Sequence, residues 1–255
     1  MEILKTEQYI NEKLTIQPVT KDRLSKFREE PYIDEKTRQF IEYNNLKWNP
    51  VTKSYDCEGD VKVSEDIVAD GKLKIRFGKV SGIFDCSNNK LTSLEGAPNE
   101  VGGNFYCGYN ELTTLDGAPQ YVGVGFHCYG NKLTSLEGAP QEIGKDFDCG
   151  YNNLTTLEGA PKKVGGNFDC SSNVLTTLEG APKYVGDNFI CSYNKLTTLE
   201  CAPQEVGVGF YCTSNNLTSL EGAPNKVGGY FYCSDNSNLV LPKEKPSWVK
   251  GEIIS

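Results

Sequence analysis

Histidine occurs once, methionine once and tryptophan twice in 255 residues. A single histidine, His127, leaves little room for clustered imidazole ligands or for several proton-transfer centres. Cations are also short: 26 Lys and Arg stand against 34 Asp and Glu, a net charge of -8. The deficit is local. Residues 1–80 hold 15 basic and 15 acidic side chains, so residues 81–255 carry 26 − 15 = 11 against 34 − 15 = 19, which is the whole -8. Nucleic-acid affinity rests on Lys and Arg neutralising phosphates, so no nucleic-acid partner is expected. No run of about 20 apolar residues is present, which excludes a helix of membrane-spanning length. Met1-Glu2-Ile3-Leu4-Lys5 is charged from its second residue and offers no apolar core of a signal peptide. The expected location is therefore the cytoplasm, with no membrane partner.

Against these shortages stands a strict repeat. Phenylalanine recurs at Phe84, Phe105, Phe126, Phe147, Phe168, Phe189, Phe210 and Phe231, a step of 21 residues without insertion. A period in this range overrides the domain count suggested by length and predicts one elongated solenoid. Eight of the ten cysteines follow the same step, from Cys86 to Cys233, each two residues after a Phe. That is strand spacing: Phe and Cys point inward and the residue between them points out. Cysteines carried by a structural period read as small buried apolar groups, reduced in a chain without a secretory signal. An asparagine follows at Asn89, Asn110, Asn131, Asn152, Asn173, Asn194, Asn215 and Asn236, then two leucines three residues apart, then Gly-Ala-Pro and a Val-Gly or Ile-Gly return. The asparagine amide is placed to bond backbone groups of neighbouring turns that would otherwise be buried and unpaired.

The unit G-x-x-F-x-C-x-x-N-x-L-x-x-L resembles the leucine-rich repeat family, with Phe and Cys at strand positions where that family has leucine. Its short return segment is similar to the bacterial type, in which the outer side is extended chain. Arrays with Phe-x-Cys and Leu-Thr-Ser-Leu-Glu-Gly-Ala-Pro also look like those of bacterial and bacteriophage proteins, as does Tyr9-Ile10-Asn11-Glu12-Lys13-Leu14. The resemblance implies a repeat solenoid with a parallel β-sheet on its concave face, an irregular convex side and a small helical N-terminal cap.

The flanks are less regular. Residues 1–54 are expected to form the helical cap, with apolar spacing for helices over Ile3 to Leu14, from Thr20 to Arg28, and from Ile33 to Leu46. Residues 55–82 are read as a degenerate first repeat, because Val63, Leu73 and Val80 fall one step before Phe84, Leu94 and Val101. Residues 83–241 are the array. In 242–255, Pro242 and Pro246 are expected to stop strand pairing, leaving Trp248, Val249, Ile253 and Ile254 to cover the last edge as a C-terminal cap.

Any function has to lie in the letters that vary. On the strand face these include Tyr106, His127, Asp148, Asp169, Tyr211 and Tyr232 between Phe and Cys, with Tyr129 and Tyr230 beside them. Just past the strand come Tyr109, Tyr151 and Tyr193. Packing does not require aromatics there, and tyrosine gives large contact area at low entropic cost, so these eleven residues are the candidate binding surface. His127 and Asp148 on adjacent strands also have the composition of a general base pair, and with Asp169 of a weak metal site. No nucleophile with an oxyanion hole accompanies them, and only 14 residues follow Leu241. That is too short for the catalytic domain that similar bacterial effectors append. We expect no enzyme, cofactor or metal. The expected function is a non-enzymatic scaffold that binds another protein. The phage resemblance implies that it blocks a host defence protein, in the host cytoplasm. The alternative is a spacer in a virion or cell assembly.

Overall fold

The computed structural model describes residues 33–255. The two helices expected before residue 31 lie outside the described residues. The chain is a repeat solenoid in which each 21-residue coil contributes a two-residue strand to a long parallel sheet. That sheet has ten strands, running in order from Val61–Lys62 through Phe84–Asp85, Phe105–Tyr106 and their successors to Ile253–Ile254. Phenylalanine lies on phenylalanine in register from Phe84 to Phe231. Because each Phe-x-Cys pair points inward, both columns are fully buried while the residue between them is partly exposed. The rings form a near-parallel stack with centroids 5.0 to 5.6 Å apart. The two leucines and the return valine close the core around them. Each such side chain contributes roughly 1.5–3 kcal/mol when fully buried. Ordering a coil costs on the order of 1.5 kcal/mol per residue, so a coil is stable only between neighbours.

The asparagine column ties those neighbours together. Asn152 Nδ2 donates to Cys128 O of the preceding coil at 3.2 Å, and to Cys149 O and Gly150 O of its own coil at 3.1 Å. Its Oδ1 accepts the buried N–H of Leu133 at 3.0 Å. The same bonds recur at Asn110, Asn131, Asn173, Asn194, Asn215 and Asn236. One amide therefore serves two coils, which is why an asparagine stands at this step in every copy.

The return strands build the opposite face, and there the ladder is interrupted. One sheet ends at Glu142–Ile143 and a second begins at Lys163–Val164. Coils approach closely on this face at glycine: a Cβ on Gly144, Gly186, Gly207 or Gly228 would overlap the carbonyl of the preceding glycine. At Gly165 the carbonyl of Gly144 lies 2.7 Å from the same point, so the coils stand farther apart where the sheet breaks.

Both ends differ from the sequence expectation. The helix Glu35–Tyr43, N-capped by Asp34, sets Phe40 edge-on against Phe77, which in turn packs on Phe84. In the degenerate coil it is Val61, not Val63, that pairs with Phe84, a step of 23, whereas Val80 pairs with Val101 at 21. The two extra residues are taken up by the 3-10 turn Glu65–Ile67 and the hairpin Val68–Ala69/Lys72–Leu73. At the other end the prolines do not stop pairing. Ile253–Ile254 joins Phe231–Tyr232 as a further parallel strand, Val249 bridges Val227, and Trp248 sits edge-on to Phe231 at 5.2 Å. Residues 242–255 thus complete another coil, at a step of 22.

Candidate functional site

The parallel register places the variable residues in one outward column: Asp85, Tyr106, His127, Asp148, Asp169, Ile190, Tyr211 and Tyr232. The structure sorts this column into three zones. Tyr106 and His127 stack at 4.7 Å at one end, and Tyr211 and Tyr232 stack at 4.6 Å at the other, with Tyr230 leaning on Tyr232. Between them stand Asp148, Asp169 and Ile190. Glycine makes room for the rings: a Cβ at Gly125 would lie 2.7 Å from His127 Nε2, and one at Gly209 the same distance from the Tyr211 ring.

His127 and Asp148 are register neighbours, yet no hydrogen bond joins them among the described residues. The imidazole lies on Tyr106 instead, and burial holds its pKa below the usual histidine value, with Asp146 opposing that shift. Asp148 Oδ1 accepts the N–H of Gly150 at 3.0 Å, and Asp169 Oδ1 that of Ser171 at 2.8 Å. Burial raises the Asp148 carboxyl to about 6 against that hydrogen bond, with Asp169 and Asp146 adding to the rise. Asp146 belongs to a separate ladder. Its Oδ1 accepts from Asn167 N and Nδ2, Asn167 Oδ1 accepts from Asn188, and Asn188 Oδ1 from Gly209 N. Among the described residues no three His, Cys, Asp or Glu side chains group as metal ligands. Burial pushes the column thiols above their ordinary range.

Tyr109, Tyr151 and Tyr193 form an edge beside this column, at 58, 67 and 62% exposure. Their backbones adopt φ of 51°, 52° and 57°, the left-handed region. Every coil needs that conformation at this step, and the alternating copies fill it with Asn88, Gly130 and Asp235, which reach it cheaply, and with the small Ser172 and Ser214. A bulky side chain there is an outlier costing about 1 kcal/mol. Strand periodicity does not reveal this backbone, but the alternation of tyrosine with small polar residues at the same step marks it. Tyr129, two residues past His127, meets Tyr109 edge-to-face at 5.0 Å, so the edge reaches the coil that carries His127.

Compared with known protein families, with curated proteins and with solved structures, the chain finds no match in any of the three.

Proposed function

We propose that the chain is a non-enzymatic scaffold of leucine-rich-repeat type whose strand face and tyrosine edge bind another protein. One observation carries the reading. Tyr109, Tyr151 and Tyr193 are exposed and occupy a left-handed turn position where Gly, Asn or Asp is better accommodated. A bulky side chain that weakens its own turn and stays largely exposed is placed for contact with something outside the chain. The likeness to bacteriophage arrays narrows the proposed partner to a host protein, including a defence component that the scaffold would block.

The test replaces all three tyrosines with asparagine and compares capture from a host lysate and thermal melting. The expected result is loss of a specific captured protein with a melting temperature equal to or above that of the parent chain. Capture that survives the triple substitution, or identical capture lists, would favour the spacer instead.

A further inference from the structure

At several places along the rod an exposed charge meets its opposite on the next coil. On the return face Lys79 lies 3.0 Å from Glu100 and Lys226 lies 3.1 Å from Glu205. Lys163 sits 5.4 Å above the ring of Tyr184 on the same face. Beside the asparagine column Lys132 meets Glu111 at 2.9 Å. On the strand face Lys62 meets Asp85 at 4.0 Å, and beyond that pair the face is short of cations. From Phe84 to Ser234 the positions before Phe, between Phe and Cys, and next after Cys hold no Lys or Arg, yet include Asp85, Asp146, Asp148 and Asp169.

Asp148 stands on Asp169 in register, carboxylate beside carboxylate, and both are half-buried. Each spends Oδ1 on a backbone N–H, and Oδ2 of each has no hydrogen bond among the described residues. Lys145, at the adjoining corner, is exposed and forms no ion pair among the described residues. A second acidic row, Glu95, Asp116, Glu137, Glu158, Glu179, Glu200 and Glu221 at the turn after the second leucine, also repeats like charges from coil to coil, but those side chains are exposed and water solvates them. On either side of the aspartates stand the ring stacks Tyr106/His127 and Tyr211/Tyr232, with His127 and Tyr211 roughly 19 Å apart at about 4.8 Å per strand.

We propose that the partner lays arginine side chains across this band, pairing guanidinium groups with Asp148 and Asp169 and resting them on the flanking rings. The inference rests on the protein-binding reading above and specifies its partner. Guanidinium suits the band better than ammonium, because it is planar, pairs with carboxylates in a fork, stacks on aromatic faces and sheds water more readily.

The probe is a fluorescein-labelled octapeptide of alternating Gly and Arg, with Lys and citrulline counterparts, followed by anisotropy against the full chain. The chain should bind the Arg peptide more tightly than the Lys peptide, and the citrulline peptide least. Asp148→Asn/Asp169→Asn keeps the backbone hydrogen bonds and should weaken Arg-peptide binding about tenfold. Glu158→Gln/Glu179→Gln removes the same charge from the turn row and should weaken it less than about twofold. Equal losses in the two pairs, or an Arg peptide no tighter than its citrulline counterpart, overturn the proposal. Melting curves establish that both variants fold. Lysate capture separates this inference from the reading beneath it. A partner lost by the tyrosine triple but kept by Asp148→Asn/Asp169→Asn leaves protein binding standing and removes arginine, whereas a partner kept by both removes both.

Discussion

The two faces of the rod obey the same 21-residue step, yet the strand face is one unbroken sheet of ten strands and the return face is split between Ile143 and Val164. The difference lies in what sets the coil spacing. On the strand side, stacked Phe rings and an asparagine amide shared by two coils fix both separation and register. On the return side a valine column and glycine contacts set the spacing without a shared amide or a ring stack, and it opens where Gly165 meets Gly144. A face locked from within is free to vary its outward residues, and the variable tyrosines and aspartates lie on that face.

The sharpest way to break this comparison is to remove one rung of the amide ladder. Asn152→Leu would orphan the buried N–H of Leu133 and leave the carbonyls of Cys128 and Cys149 with one side-chain donor each, from Asn131 and Asn173. The expected loss is about 3–5 kcal/mol, read from chemical denaturation. An unchanged midpoint would show that the ladder does not hold the strand face together.

A second pair of substitutions measures the looser face. Gly186→Ala drives a methyl into the Gly165 carbonyl, whereas Gly165→Ala meets the Gly144 carbonyl at 2.7 Å, where the coils are already apart. Losses of about 3 kcal/mol and about 1 kcal/mol are expected. Equal losses would mean that the sheet break does not relax the backbone.

Much of the fold was legible because its signal is repeated: period, inward Phe and Cys, and the asparagine role all follow from spacing. The ends were not, because each is a single copy in which shape was kept and letters were lost. Val61 replaces Phe at a step of 23, and Ile253 replaces it beyond two prolines, so a fixed step of 21 misses both. The outward column of the candidate site was also readable from the alternation of strand residues. The stacking of His127 on Tyr106, in place of a bond to Asp148, depends on the room left by Gly125, which no pairwise spacing encodes. The left-handed backbone of Tyr109, Tyr151 and Tyr193 comes from a turn that most copies fill with unremarkable small residues.

The aspartate zone sharpens the comparison through pH. The folded-state pKa of Asp148 is raised to about 6, so the folded chain binds more protons than the unfolded chain between about pH 4 and pH 6. Stability from this group therefore falls as pH rises through that window. Asp148→Asn removes the penalty, and because the site keeps some contact with water the gain at pH 7 should be about 1–2 kcal/mol, vanishing near pH 4. A gain independent of pH would place the cost in packing, not in the buried charge.

The smallest effect is expected at Cys201, on the return side. It stands in the Gly-Ala-Pro step, where Gly117, Gly138, Gly159 and Gly180 have φ between 86° and 89°, and it is held at φ 66°. Cys201→Gly removes a left-handed strain of about 1–2 kcal/mol but returns backbone freedom to the unfolded chain, for a net gain of about 0.5 kcal/mol. The same residue gives a sensitive readout of coil integrity. It is the one exposed cysteine of ten, the others being buried. A thiol reagent should therefore label one site quickly in the native chain and the remaining nine only on unfolding. Faster labelling of the buried column in Gly186→Ala than in Gly165→Ala would place the first opening of the rod at a tight return contact. The reverse order would place it at the break beside Ile143.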